Sequence, residues 1–542
     1  MTSRLGGPIG PLLLLVLTLL VPAVPLRAQD AAPESVPASR RAVRFVILHT
    51  NDVHGQIRPI PDPRSRDGNP RMVGGYQELV QAIDDERSKV AHSVLVDAGD
   101  WWQGTPEGTL SKGRCTVELM NAAGYDLAVV GNHDFDAGPA ALLDLLRLAR
   151  FDVVGGNVAA VRDDPIARMV EAKIKSAPRL FHAGEAIIAI GGIVTDETPR
   201  ITSPQALKGI RIAPNAVGAA VVRGLVRLPA DRLAGVEATP GRPDADVLVL
   251  VNHESRERNL EITKVVPDLD VVIGGHFHSD MLREGVVAST GALIAQAGAN
   301  TRALGVVTLE IDPDTQRVIK KSARVREIVA DPELSVPRLL PIINRYEAEV
   351  ARTMDVEVCD VTTYFGRGSD LLKPGHLGAW LAAAMIARTG SDLAIHNHGG
   401  IRADLPIGRA RVREFFQISP FGNRLVSVDM KVADVLELAG RTAASPGRGF
   451  VIGGATVVAR RGADGKVAVV GLRKEGKDLP PDGVVRVAST DFLALAKDGA
   501  TAFGRATGYK DHDETLLDAT LAEARRQKTL TIPEASGWVF VP

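Results

Sequence analysis

At 542 residues the chain is too long for one ordinary core and predicts two or three domains. Hydrophobic residues at 45% and charged residues at 24% exclude a globally disordered or fibrous chain. The 64 basic and 65 acidic residues leave a net charge of −1, which excludes a broad positive field for wrapping nucleic-acid polymers, so any anionic ligand is small and bound locally.

The N-terminus carries Arg4, an apolar run from Pro11 to Val21 and a small-residue stretch ending near Ala28. That layout predicts a secretion signal over residues 1–28, because the run falls short of the ~20 residues a bilayer span needs. Residues 29–41, rich in Ala, Pro and Ser, read as a flexible tether. The expectation is an exported chain, periplasmic or extracellular, with no stable membrane span after cleavage. Cys115 and Cys359 lie far apart, so a disulfide framework is not expected.

From Val43 onward, short apolar runs read as buried strands: Val43 to Leu48, Val94 to Val96, Leu127 to Val130, Val247 to Val251 and Val271 to Ile273. Helical patterns such as Gly75 to Arg87 and Pro139 to Arg150 lie between them, which gives an α/β class. After Ile311 the strand pattern breaks up. Pro341 to Thr353 then reads as one amphipathic connector helix, opened by its proline. A second α/β segment follows, with helix Leu377 to Thr389 and strands Asp392 to His396 and Val484 to Ser489.

The strands run into Asp52 and His54, Asp100, Asn132 and His133, His253, and His276 and His278. Ligands gather outside the carboxyl ends of strands in open α/β sheets, so five loops are expected to meet at one place. Oxygen and imidazole donors without thiolate suit divalent Zn, Mn, Co or Fe rather than a Ca or Mg cage. Seven candidate ligands exceed what one ion needs. Two ions sharing a carboxylate account for the number, and such pairs recur in phosphate ester hydrolysis.

The blocks Ile47-Leu48-His49-Thr50-Asn51-Asp52-Val53-His54-Gly55, Gly99-Asp100, Gly131-Asn132-His133-Asp134-Phe135-Asp136 and Gly274-Gly275-His276-Phe277-His278 resemble the successive motifs of the calcineurin-like metallophosphoesterases. From about Arg44 to the C-terminus the chain resembles the bacterial 5'-nucleotidase and UDP-sugar hydrolase family. The resemblance implies a four-layer αββα sandwich over residues 42–330, a connector helix over 331–355, and a 5'-nucleotidase C-terminal specificity domain over 356–542. It implies that Asp52, His54 and His278 hold one metal, that Asn132, His253 and His276 hold the other, and that Asp100 bridges both. His133 and Asp136 would form the catalytic dyad. Asn397 and Arg402 fall in a ligand-contacting segment, and Pro420-Phe421-Gly422 and Phe492 through Asp498 resemble the segments that supply two aromatic walls and an acidic residue for a nucleoside.

The sequence also departs from the family. His398 replaces the first glycine of an asparagine-glycine-glycine-glycine pattern, Lys373 stands where relatives often carry a ligand-contacting arginine, and Ala379 and Ala383 replace polar residues. Lysine offers a point charge without the bidentate fork, so these departures bear on substrate choice. The implied reaction is hydrolysis of a small nucleotide phosphate ester by water activated on the ions, with no covalent enzyme intermediate. Related chains reuse the site for 2',3'-cyclic nucleotides, UDP-sugars or sulfur substrates, and a rival of another class is a non-catalytic ligand-binding protein on the same fold. No protein partner can be read.

Overall fold

The computed structural model describes residues 41–542, apart from 63, 65–70, 162, 227–243, 279–280, 369, 374–375, 448 and 532–536. The expected signal segment and all but the last residue of the tether lie outside the described residues. No helix among the described residues is long and apolar enough to cross a membrane.

The main strands of the first domain are β1 (Val43–Thr50), β2 (His92–Asp97), β3 (Leu127–Ala128), β4 (Asp152–Val153), β5 (Arg179–Ala183), β6 (Ala186–Ile193), β7 (Val247–Asn252), β8 (Val271–Ile273), β9 (Val286–Val287), β10 (Leu293–Ala295), β11 (Ala303–Ile311) and β12 (Val318–Glu327). Its main helices are α1 (Tyr76–Arg87), α2 (Arg114–Ala123), α3 (Gly138–Leu148), α4 (Asn215–Gly224) and α5 (Arg256–Val265), followed by the connector α6 (Leu340–Met354). Two six-stranded sheets form, ordered β12-β11-β1-β2-β3-β4 and β9-β10-β8-β7-β6-β5.

The period of two along each strand divides the core. Phe45, Ile47, Val94 and Val96 of one sheet share a buried cluster with Ile188, Ile190, Val247 and Val249 of the other. The alternate residues, Val46, Leu48 and Leu95, pack with Leu79, Ile83, Met120 and Leu142 of the helices outside the first sheet. Leu248, Leu250 and Val272 do the same with Val222 and Ile262 outside the second. Sheets buried on both faces and helices on the outside make the αββα four-layer sandwich.

The structure differs from the sequence reading at β12. The strand pattern does not stop at Ile311: β12 pairs antiparallel with β11 over Val318 to Glu327. It is an edge strand with exposed and half-buried residues, so it carries Lys320, Lys321, Arg324 and Arg326 without interrupting the ladder. The third strand is also shorter than expected, ending at Ala128.

The connector helix belongs to both domains. Ile343 and Tyr346 sit in the first domain's core, while Val350 and Met354 sit in a cluster with Phe365, Trp380 and Phe415. The second domain centres on β13 (Leu393–Asn397), β14 (Arg424–Lys431), β15 (Phe450–Gly453), β16 (Val484–Thr490) and β17 (Thr507–Thr515), ordered β15-β13-β16-β14-β17. Its helices include α7 (His376–Thr389), α8 (Val412–Ile418), α9 (Val432–Ala444) and α10 (Leu516–Gln527). Both cysteines are buried and free. Arg413 of α8 ties the domains together, its guanidinium donating to Glu107 at 2.5 Å and to Asp355 at 2.8 Å.

Candidate metal centre and substrate site

The loops after β1, β2, β7 and β8 bring two groups of ligand-bearing side chains together: Asp52, His54 and His278, and Asp100, His253 and His276. In the first, His54 Nε2 and His278 Nε2 lie 2.9 Å apart, and His278 Nε2 is 3.3 Å from Asp52 Oδ1. The Asp100 carboxylate lies between the groups, with Oδ2 3.1 Å from His253 Nε2 and 3.7 Å from His54 Nε2. Four of these residues, Asp52, His54, Asp100 and His276, hold left-handed backbone angles with φ from 52° to 72°. Such angles cost free energy in residues other than glycine and persist where the surroundings fix them.

The fixing is done by backbone groups. The amides of Asp52 and His54 donate to the carbonyls of Gly99 and Asp100, at 2.9 and 3.0 Å, so the first two loops hold each other. His54 Nδ1 donates to the Gln103 carbonyl at 2.6 Å and His253 Nδ1 to the Ala98 carbonyl at 2.7 Å. Each bond commits Nδ1 and turns Nε2 toward the centre. Close approach also requires Gly99, at φ 94°, where a Cβ would lie 2.6 Å from the Gly131 amide and 2.9 Å from the His253 ring.

The donor set fits divalent ions. Asp52 Oδ1, Asn132 Oδ1 and His253 Nε2 are buried without a hydrogen-bond partner, an arrangement that is costly unless a cation receives them. Burial alone would push the His253 imidazole down, but the Asp100 and Asp52 carboxylates hold it up to about 10, a proton standing where positive charge is wanted. Burial and the neighbouring His278 push His54 well below the ordinary histidine range, so its ring is neutral.

Beside the first group, His133 Nδ1 donates to Asp136 Oδ2 at 2.7 Å, and its ring centroid is 5.6 Å from that of His54. From the second domain, the Arg402 guanidinium reaches to 3.2 Å from His54 Nε2 and 3.5 Å from His278 Nε2.

Residues 45–280 match the calcineurin-like phosphoesterase family, and residues 350–505 match the 5'-nucleotidase C-terminal domain. The chain belongs to the two-domain 5'-nucleotidase family of calcineurin-like phosphoesterases. It is 28% identical to Endonuclease YhcR of Bacillus subtilis over 87% of its own length and 38% of that protein. It is 26% identical to the Trifunctional nucleotide phosphoesterase protein YfkN of the same organism over 86% of itself and 33% of that protein. The chain therefore spans well under half of these two curated relatives. A solved structure of a 5'-nucleotidase precursor from Thermus thermophilus shares the fold, with a TM-score of 0.78 at 22% identity over 92% of this chain and 99% of the other.

The remaining residues read from the 5'-nucleotidase resemblance lie as follows. Asn397 Nδ2 donates to Asp498 Oδ2 at 2.8 Å, while Asn397 Oδ1 is buried without a partner. Phe421 stacks on His133 with centroids 5.4 Å apart, and the Arg402 guanidinium lies 5.7 Å from the Phe421 ring centre. Phe492 is half-buried and packs against the second domain's core. Lys373 is exposed, and among the described residues no side-chain bond links it to this cluster.

Three contributors escaped the sequence reading. Asp134, buried between the dyad residues, accepts the amides of Gly131, Asp100 and Trp101 at 2.7, 3.0 and 2.9 Å and so clamps two ligand loops. Asn51 donates to Asp52 Oδ2 at 2.6 Å and accepts the Ala297 amide at 2.9 Å. Arg367, rather than Lys373, brings a second guanidinium near Arg402: burial, with Arg402 adding to it, pushes Arg367 down to about 10. Its NH2 lies 3.5 Å from His398 Nε2, the ring that replaces a family glycine. Asp134 and Asn51 lie inside the quoted blocks, and only their neighbours' roles drew attention from them. Arg367, in a loop between glycines, carries no sequence signal.

Proposed function

We propose that this chain is an exported, two-metal phosphoesterase that hydrolyses nucleotide phosphate esters in the manner of a 5'-nucleotidase. The observation that carries the reading is the pair of facing ligand groups, with their unpartnered buried atoms, covered by the Arg402 guanidinium of the second domain. The relative named a nucleotide phosphoesterase favours the nucleotide class. Export rests on Arg4, the apolar run and the small-residue stretch before Ala28.

Asp52, His54 and His278 would hold one ion and Asn132, His253 and His276 the other, with Asp100 shared. When bound, the ions activate water and neutralise the phosphoryl oxygens. His133, its Nδ1 proton committed to Asp136, presents Nε2 to the phosphate and to the leaving oxygen, where it stabilises charge or delivers a proton. Arg402 and Arg367 add forked donors for the same oxygens. Phe421 supplies an aromatic face for a nucleobase, and Asn397 with Asp498 supplies polar contacts to the nucleoside.

The test is phosphate release by the metal-reconstituted protein from AMP, a 2',3'-cyclic nucleotide, a UDP-sugar and p-nitrophenyl phosphate. Metal-dependent release with AMP preferred is expected. A metal-loaded, folded protein that turns over none of them would overturn the reading in favour of a binding protein.

A further inference from the structure

The rings around the metal centre run in a row. Phe421 stacks on His133, His133 neighbours His54, and His54 neighbours His278 at 4.7 Å between centroids. Beyond His278, at the opposite end from Phe421, lies a cavity of about 270 Å³ whose lining includes Asp62, Arg64, His278, Arg283, Arg302 and Glu327. We propose that this cavity is a second oxyanion-binding site, separate from the phosphoryl position at the metal centre, with the Arg302 guanidinium as its principal donor.

The charge count comes first. Arg64 holds Asp62 at 2.8 Å and Glu327 at 3.1 Å, Arg71 holds Glu327 at 3.2 Å, and Arg283 also pairs with Glu327. Three guanidinium groups thus share two carboxylates, and Arg302 is additional to them. Its Nε donates to the Ala299 carbonyl at 3.1 Å, and no carboxylate among the described residues lies within ion-pair distance of it. The neighbouring Asp404 is engaged by the Tyr364 hydroxyl and the Arg367 amide. Burial pushes Arg302 below the usual arginine range, against the opposing pull of Asp62. Tetrahedral oxyanions match the planar fork of arginine, and the space, at ~30 Å³ per liquid water, holds one with part of its hydration shell.

The backbone holds Arg302 in place. Asn300 and Thr301, just before it, have φ of 56° and 55°, and the second of these is a β-branched residue for which the left-handed region is costly. The Asn300 amide donates to the Asp52 carbonyl at 2.8 Å, Thr301 Oγ1 accepts the Gly75 amide at 3.0 Å, and the Arg302 carbonyl accepts the Ile328 amide at 2.8 Å. The donor is therefore anchored to the loop of a metal ligand. Strain maintained at this point has a use if it aims a charged group at a ligand.

The oxyanion has two chemical sources: free inorganic phosphate, or a second phosphate group carried by a substrate whose first sits at the metal centre. The second source rests on the phosphoesterase reading, whereas the anion site does not. Crystals of the full chain soaked in sodium tungstate should show an anomalous peak within hydrogen-bonding distance of Arg302, absent in Arg302→Met. No peak there, with tungstate bound at the metal centre, would overturn the site. Calorimetry on the slow His133→Ala background separates the sources. A tighter Kd for ADP than for AMP that Arg302→Met reduces by about tenfold or more marks a substrate-borne group. Phosphate binding to AMP-saturated protein, weakened by a similar factor, marks the free ion. If neither quantity moves in a variant whose melting temperature is close to wild type, the proposal fails. Arg302→Lys, which keeps the charge, should retain part of the effect. Tungstate at Arg302 in a protein that hydrolyses no phosphate ester would sink the phosphoesterase reading alone, and hydrolysis with an empty cavity would do the reverse.

Discussion

His133 and Asp136 form a unit in which the carboxylate fixes the ring's tautomer and direction. Under the proposed reaction, His133→Ala lowers kcat by about 10²–10⁴-fold while both metals stay bound, as steady-state kinetics and metal analysis would report. Loss of metal in step with activity would make His133 a ligand instead. Asp136→Asn acts through the ring, so it should add little on the His133→Ala background. The two phenylalanines divide differently. On the proposed reading Phe421, stacked on His133, would touch a part of the substrate that does not react, so Phe421→Ala should raise KM for AMP roughly 5- to 150-fold. Turnover of p-nitrophenyl phosphate, which has no nucleobase, should hardly change. Phe492 packs on the domain core, so its truncation should lower the melting temperature as well. A folded Phe421→Ala variant with unchanged KM for AMP would remove that residue from the pocket.

At the level of elements, the ion network of Arg413, Glu107 and Asp355 couples α8 to the first domain and the end of the connector. Arg413 and Glu107 side chains are only 7% and 3% exposed, so Arg413→Ala would leave a buried carboxylate unpaired and cost about 3–5 kcal/mol. Breaking the exposed, solvent-screened pair of Arg424 and Asp511 should cost far less. Denaturant titration of the two variants checks the contrast, and equal losses would count against it. The carboxylates of Asp62 and Glu327 give a pH limb. Hydrogen bonds from Arg64, with further help from Arg71 for Asp62 and Arg283 for Glu327, hold each at about 2. Their folded values lie below the unfolded ones of about 3.9 and 4.3, so the stabilisation is present above pH ~4 and is lost as pH falls toward 2. Glu327→Gln should flatten the fall in melting temperature across that window. The elements themselves were legible where the chain is buried on both faces, as in Phe45 to Leu48 and Val247 to Val251, because nothing polar breaks those runs. Edge strand β12 was not, since one face carries lysine and arginine. Arg302 and Arg367 escaped for a related reason: an arginine in a loop reads as solvated, and only the folded surroundings show otherwise.

Across the whole molecule, the two candidate metal-holding groups were legible because their residues follow buried strands and the strand order gathers those ends, whereas the candidate substrate side depends on how the second domain meets the first. That difference sets what removing the metals should do. Without ions the centre keeps unpartnered Asp52, Asn132 and His253 atoms in a buried space, and His253 retains a proton because Asp100 and Asp52 hold it. Binding cations must displace that proton and should relieve the orphaned oxygens, so affinity should rise with pH and loading should release protons. Calorimetry in buffers of different ionisation heat would count them. Because the ions bind the folded chain and not the unfolded one, saturating Mn, Co or Zn should raise the melting temperature, by about 2.7 kcal/mol of added stability at a hundredfold excess over Kd. Exhaustive chelation should abolish hydrolysis of AMP and of the small ester alike, since both need the same centre, and readdition should restore them. Asp100→Asn, which removes charge shared by both groups, should depress activity and metal-induced stabilisation more than His54→Ala. Full activity after chelation, or an Asp100→Asn variant stabilised by metal as strongly as wild type, would mean that the two clusters are not the seat of the reaction.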